Sequence, residues 1–341
     1  MRAGKLPLEA LQARVLRYLG RPRPEVLVHA APGQDAAAVA VGDWALVVSS
    51  DPITGAARDL GWFAVHVACN DVAAAGAEPL GVLLTLLLPE GSSLSQVEEI
   101  MTQADRAARE LGVEVLGGHT EFTLGLDRPL VSTTALGLVP RGRLLGSGGA
   151  RPGHELILTK AAGLEGTAIL AAERGEELVR ALGPEPVERA LAFAREISVV
   201  REALAAARSG ASAMHDATEG GVLGAAFELA EASGVGLELR RELVPVRSET
   251  EAICRCLGLD PLRLIASGSL LVAAPPGSGV VEALSREGVA AAVVGRLTES
   301  GAGRWLVEGG ERRPLLAPEG DELWRAKEEE VGLPPGASGR A

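Results

Sequence analysis

Short apolar runs alternate with helical patterns through the first half of the chain, and that alternation confines it to a layered α/β fold. EVLVHA (25–30), AAAVAV (36–41), WALVVSS (44–50), VLLTLLL (82–88) and VSTTALGLV (131–139) are each bounded by Gly, Pro or charged residues, as buried strands are. Two helices stand between them. The first runs from about Asp59 to Ala75 and stops at Gly76. The second starts near Ser95, where Ser95 and Glu98 make an S-x-x-E capping box, and ends at Leu111 before Gly112. Leu94, Val97, Met101, Ala104, Ala108 and Leu111 share one face of this second helix.

The pattern restarts after LLGSGGARPG (144–153), where glycines, a serine and a proline supply no side chains for a core and mark a domain boundary. ELILTK (155–160), SLLVAAP (269–275) and AAVVGRL (291–297) are expected as strands. VVREALAAAR (199–208) and GGVLGAAFELAEAS (220–233) are expected as helices, the latter entered through glycines. At 341 residues the chain exceeds what one core usually serves. It divides into 1–148, 149–318 and a charged, proline-bearing tail, 319–341, expected to be peripheral.

Composition narrows the function. With 33 basic against 45 acidic residues and a net charge of -12, the chain offers no basic face to a phosphate backbone or an anionic bilayer, so neither nucleic acid nor membrane is an expected partner. The longest apolar run, Leu80 to Leu88, falls far short of the ~20 residues of a membrane span. MRAGKLPLEALQARVLRYLG is charged at both ends without a continuous apolar core, unlike a signal peptide, and a cytoplasmic location is expected. Cys69, Cys254 and Cys256 rule out a disulfide scaffold, and the C-x-C pair has no second pair to complete a zinc site.

Three acids stand where an acid is locally out of character. Asp35 follows Gly33 and Gln34 at a loop-to-strand junction. Asp51 closes the WALVVSS strand just before Pro52, at a carboxyl edge where open α/β sheets place ligands. Asp71 lies with Asn70 inside FAVHVACNDVAAAG, a helix otherwise nearly free of polar groups, where an unpaired carboxylate costs several kcal/mol. Taken singly, Asp35 and Asp51 read as turn and cap residues. Asn70 and Asp71 together read as a site, with a hydrogen bond from Asp71 to a neighbouring loop as the alternative. Converging, the three acids would suit a hard cation bridging to phosphates.

Two further clusters carry chemistry. In LGGHTEF (116–122), Gly117 and Gly118 admit close backbone approach, and His119, Thr120 and Glu121 supply a base, a hydroxyl and a carboxylate in a row. A glycine turn with solvated polar residues explains the same string. HDATEGGV (215–222) sets His215, Asp216, Thr218 and Glu219 before Gly220 and Gly221 at a helix start, where free N–H groups suit an anion. An N-cap by Asp216 or Thr218 is the plainer reading, and it leaves His215 unexplained. His29, His66 and His154 are assigned to packing or surface roles.

The order of these pieces resembles the aminoimidazole ribonucleotide synthetase (PurM-like) superfamily, which includes that purine enzyme, selenophosphate synthetase, thiamine monophosphate kinase and the hydrogenase maturation protein HypE. The resemblance is carried by G-Q-D-A-A (33–37), S-S-D (49–51), N-D-V-A-A-A-G-A-E-P (70–79), G-G-H-T-E (117–121), G-x-R-P-G-H-E-L-I-L-T (149–159), H-D-A-T-E-G-G-V (215–222) and S-G-S-L (267–270). It implies a two-domain α/β (α+β) fold whose N-terminal domain binds ATP and pairs with its twin in a homodimer. ATP is then expected between the domains, with Mg²⁺ on Asp35, Asp51 and Asp71. Gly33, Asn70, Gly117, Gly118, Thr120, Thr218, Gly220 and Gly221 are the implied nucleotide-binding residues, and His119, Glu121, His215 and Asp216 the implied catalytic ones.

The activity so implied is ATP-dependent phosphorylation of an amide-type or other small acceptor oxygen, on a small molecule or borne by a protein. A thiamine monophosphate kinase-like activity and a non-catalytic, nucleotide-binding maturation or regulatory module are the alternatives. The pattern is closest to HypE, with departures. Gln34 stands where an acid is common, and His119 replaces the acid of the G-G-D-T motif; Glu121 is expected to take over as ligand and His119 to face the acceptor. The chain as given ends PPGASGRA without the cysteine on which HypE acts, so self-modification of that kind is not expected. The N-terminal cysteine and lysine arrangement of selenophosphate synthetase is not expected either.

Overall fold

The computed structural model describes residues 3–56 and 58–330. Its first sheet contains β1 (Val26–Val28), β2 (Ala37–Val41), β3 (Trp44–Ile53), β4 (Glu78–Pro89), β5 (Glu114–Thr123) and β6 (Leu130–Pro140), in the order β1-β2-β3-β6-β4-β5. Within this sheet, among the described residues, only β4 and β5 pair in parallel. Helix α1 (Leu8–Arg14) precedes this sheet, and α2 (Leu60–Ala74) and α3 (Leu94–Leu111) pack with it.

The second sheet contains β7 (Glu155–Thr159), β8 (Ala213–Asp216), β9 (Gly236–Arg240), β10 (Leu270–Ala274), β11 (Ala291–Thr298), β12 (Arg304–Glu308) and β13 (Glu311–Pro314), in the order β13-β12-β9-β11-β7-β10-β8. Its helices are α4 (Leu164–Glu173), α5 (Gly175–Leu182), α6 (Pro184–Ala192), α7 (Val200–Arg208), α8 (Gly221–Ala232), α9 (Ser248–Leu257), α10 (Val280–Arg286) and α11 (Glu322–Glu330). The mixed α/β architecture is the one expected from the alternation of runs.

Helix α2 organises the molecule. Every residue from Leu60 to Ala74 is buried, as a helix apolar on all sides requires. It lies on β3 and β6 of the first sheet and on α7 and β8 of the second half, with α3 beside it. Asn70 fastens the two halves together: its Oδ1 accepts from Val199 N at 2.7 Å and its Nδ2 donates to Ile197 O at 2.9 Å. Trp62 Nε1 donates to Ala194 O at 2.7 Å in the same seam. The second sheet is covered on both faces, since Leu270, Val272 and Ala274 join the core that contains α2, while Leu271 and Ala273 join the one that contains Val222 and Leu223 of α8.

His66 meets the packing role assigned to it. Its ring lies 4.3 Å from that of Trp62, and neither ring nitrogen has a hydrogen-bond partner among the described residues. Burial, with Lys160 and Arg106 nearby, pulls its pKa down to about 4, so the ring is neutral.

Four expectations change. Ser93, not Ser95, caps α3: its Oγ accepts from Gln96 N at 3.3 Å, because Ser93 has the extended backbone an N-cap needs. Strand β3 runs on through Asp51 to Ile53, so Asp51 lies within a strand rather than at its end. LGGHTEF is not a turn but most of β5; at Gly118 (φ 144°) a Cβ would stand 1.8 Å from Leu84 O, so glycine lets β5 press against β4. The start of the tail is not peripheral, for Asp321, Leu323 and Ala326 are buried. No helix among the described residues is long and apolar enough to cross a membrane.

Candidate functional site

Asp51 and Ser49 sit two apart on β3 and therefore point to the same face, the face on which α2 lies and presents Asp71. Ser49 Oγ is 2.5 Å from Asp71 Oδ2, 3.0 Å from Asp51 Oδ2 and 3.1 Å from the backbone oxygen of Asp35. The hydroxyl has a single proton to donate, and the shortest of these contacts is its bond to Asp71 Oδ2. Burial, then the charges of Asp216 and Asp51, raise the pKa of Asp71 well above the usual carboxylate range.

The second sheet completes the cluster from the opposite side. Strand β8 is its edge strand beside α2, and it ends on His215 and Asp216, both buried. Asp216 faces Asp71, and burial with the charge of Asp35 pushes its pKa up to about 7. His215 bridges two acids: Nδ1 lies 2.5 Å from Asp35 Oδ1 and Nε2 lies 2.9 Å from Glu228 Oε2 on α8. Burial alone would lower its pKa, but Asp35 and Glu228 outweigh it and lift the imidazole to about 10. Glu228 is raised by burial yet drawn down to about 2 by Lys5 and His215. Lys5 Nζ stands at the rim, 3.8 Å from Glu228 Oε2 and 3.2 Å from Thr218 Oγ1.

Aspartates 35, 51, 71 and 216 thus meet between the sheets beside a crevice edged by Gln34, Asp35, Asp71, Gly146 and Ser147. Asp35 Oδ2 and Asp216 Oδ2 are buried without hydrogen-bond partners among the described residues. Buried carboxylate oxygens left unpaired, in a set of hard oxygen donors, fit a divalent cation. Among the described residues no three His, Cys, Asp or Glu side chains already stand around one point as ligands.

Other residues expected at the site are placed differently. Asn70 has its Oδ1 and Nδ2 committed to the backbone of Val199 and Ile197, as a latch rather than a nucleotide ligand. Gly33 (φ 72°) is where the loop presses on α8; a Cβ there would lie 2.6 Å from Glu228 O. The start of α8 is engaged largely within the protein. Gly220 N donates to Asp321 Oδ2 at 2.7 Å, Gly221 N to Thr218 O at 3.0 Å and Leu223 N to Leu262 O at 3.1 Å, so these three donors of the helix start are taken.

Gly117, Gly118, Thr120, His119 and Glu121 belong to β5, the exposed edge of the first sheet. His119 Nε2 lies 3.0 Å from Glu121 Oε2, and this contact with a bond from Thr123 holds the Glu121 carboxyl below its usual range. Strands β6 and β4 separate β5 from β3, which puts Glu121 about 14 Å or more from Asp51, three strand spacings. Within one chain Glu121 cannot share a cation with Asp51.

Three residues of the cluster escape sequence reading. Ser49 is visible there only as part of S-S-D; Glu228 is an acid in an apolar helix, the same signal that singles out Asp71. Lys5 is one of only three lysines, Lys5, Lys160 and Lys327, and rarity was its sole mark.

The family model described as "AIR synthase related protein, N-terminal domain" matches residues 33–139, and the one described as "AIR synthase related protein, C-terminal domain" matches 151–307. The chain is similar to a putative hydrogenase expression/formation protein of Methanocaldococcus jannaschii, 30% identical over 246 residues that make up 70% of each chain. It is 33% identical to the carbamoyl dehydratase HypE of Azotobacter vinelandii over 273 residues, 79% of this chain and 76% of that one. A crystal structure of a hydrogenase maturation protein HypE in complex with ATP superposes with a TM-score of 0.67 at 24% identity, covering 94% of this chain and 97% of that one, and shows a shared fold.

Proposed function

Because the chain belongs to the AIR synthase related family, we propose that it is an ATP- and Mg²⁺-dependent enzyme that phosphorylates an amide-type oxygen, as a HypE-related protein would. The observation that carries this reading is the buried meeting of Asp35, Asp51, Asp71 and Asp216 from both sheets, with two of their oxygens unpartnered. Mg²⁺ on these carboxylates would neutralise phosphate charge, and the protein's part is positioning. His215 and Glu228 fix the side chain of Asp35, and the seam at Asn70 holds α2, and with it Asp71, in place. The HypE solved with ATP supports the nucleotide, and the relatives named carbamoyl dehydratase support an amide-type acceptor. Transfer of the γ-phosphoryl group to such an oxygen turns it into a leaving group.

Thermal unfolding with and without ATP and Mg²⁺ tests the nucleotide half. A native-state ligand at 100 times its Kd adds about 2.7 kcal/mol, so the midpoint is expected to rise with both present and to stay put with Mg²⁺ alone. No rise at millimolar ATP and Mg²⁺ defeats the reading. Phosphate release with carbamoyl compounds tests the acceptor; turnover with thiamine phosphate instead would replace that assignment.

The same reading includes a homodimer through β5. This edge strand carries exposed Leu116 and Phe122, and Leu80 and Leu83 are exposed on the adjoining β4. A row of unpaired backbone groups flanked by apolar side chains is a surface that another chain covers. Light scattering is expected to give twice the 35.0 kDa of one chain, and Phe122→Glu to give the monomer. A wild-type monomer at micromolar concentration rejects the dimer.

A further inference from the structure

The segment before α1 is a strap laid over the C-terminal half of the cluster. Lys5 N donates to Glu219 Oε1 at 2.6 Å. Gly4 (φ 112°) fits where no side chain can: a Cβ there would stand 2.1 Å from Glu219 Oε1 and 2.9 Å from Trp324 Nε1. Thus the strap is gripped by the turn that leads into α8 and by α11, and the grip sets Lys5 at the mouth of the acidic cluster. There its ammonium faces Glu228, Asp35, Asp216 and Glu219.

A cation held on these aspartates would bring a chain of phosphates to a cluster that otherwise repels them, so the phosphates need positive donors of the protein's own. The usual sources are largely committed within the protein. The N–H groups at the start of α8 bond Asp321, Thr218 and Leu262. His215 is buried, its Nε2 bonded to Glu228 and its Nδ1 facing Asp35 at 2.5 Å, so it is turned away from solvent. Lys160 Nζ is enclosed by the carbonyls of Glu196, Ser198 and Gly268 and by the Glu202 carboxylate.

Lys5 differs from all of them. Its side chain is 53% exposed, its contact with Glu228 is a loose 3.8 Å, and its one short partner is the Thr218 hydroxyl at 3.2 Å. An ammonium donates three hydrogens, so two directions remain for a ligand arriving from solvent. We propose that Lys5 binds the terminal phosphates of the nucleoside triphosphate, and that the strap of residues 3–7 exists to hold it there. The inference rests on the nucleotide reading above and names the protein group that reads the triphosphate within it.

Isothermal titration of the full chain with ATP and with AMP, both with Mg²⁺, separates the possibilities. Lys5→Ala is expected to weaken ATP by about tenfold or more, the loss of a charge-assisted bond, and to leave AMP unchanged. Lys5→Arg should recover part of the ATP affinity. Gly4→Val keeps the lysine but cannot keep the strap between Glu219 and Trp324, and should lose as much as Lys5→Ala. Equal ATP affinity in wild type and Lys5→Ala overturns the inference and leaves the nucleotide reading intact. So does an equal loss for ATP and AMP, which would make Lys5 a structural counter-ion. A wild-type chain that binds no ATP overturns both.

Discussion

Asp71→Asn is expected to lower the affinity for Mg²⁺ and ATP together by about 100-fold, as loss of a carboxylate that serves the cation, while the free protein stays as stable as the wild type or becomes more so. The two effects have one cause. Asp71 is buried among Asp216, Asp51 and Asp35, and its pKa is raised well above the ordinary range by burial and then by those charges. A carboxyl whose folded pKa lies above its unfolded one is held protonated by the fold; the stability this contributes is present at low pH and is lost as pH rises through the folded value. Asparagine imitates the protonated form at every pH, so the penalty near neutrality disappears, and with it the charge a cation would use. Titration calorimetry gives the affinity and denaturant unfolding at pH 5 and pH 8 gives the stability. A variant that keeps full nucleotide affinity would make Asp71 a structural acid and remove the main support for the site.

His215→Ala should destabilise the free protein by about 3–5 kcal/mol at pH 6, the cost of leaving buried charges unpaired, and lower the unfolding midpoint by about 5–15 °C. The imidazolium stands 2.5 Å from Asp35 and 2.9 Å from Glu228, and its removal strands both acids. The sign of the pH dependence follows from the shifts. His215 is raised to about 10, so its contribution is complete below pH 6.5, the unfolded value, and is lost as pH climbs through the folded one. Glu228 is lowered to about 2, so its contribution is complete above pH 4.5, the unfolded value, and is lost as pH falls from there through the folded one. The difference between wild type and variant should therefore be largest between these limits and shrink toward pH 10. A difference that does not change with pH would mean that His215 is held as a neutral packing group.

The layered α/β fold and its strands were legible because periodicity records which faces are buried, and burial is a property each segment carries in its own residues. Helix α2 is the clearest instance: an apolar run with Asn70 and Asp71 embedded in it announces a helix covered on all sides and two polar groups in need of partners. The same string is silent on who those partners are. Asn70 looked like a ligand and is a latch, because the groups that satisfy it lie at Ile197 and Val199, more than a hundred positions away, on the segment that leads into α7. The edge strand β5 stayed open between a glycine turn and a ligand-approach site, since Gly118 carries no side chain to show that Leu84 lies against it.

What the sequence by itself determined, then, is the layered architecture and which residues are chemically out of place in it: Asp35, Asp51 and Asp71, and the unexplained His215. What only the tertiary structure decided is how they combine. Packing of α2 against both sheets brings Asp71 to Ser49 and Asp216, engages the start of α8 with Asp321 from 101 positions further on, and lays Lys5 beside Glu219 across 214 positions. Local pattern encodes burial residue by residue, whereas a short hydrogen bond, an engaged helix end or an ammonium at the mouth of an acidic cluster exists only between groups that folding has brought within a few ångströms.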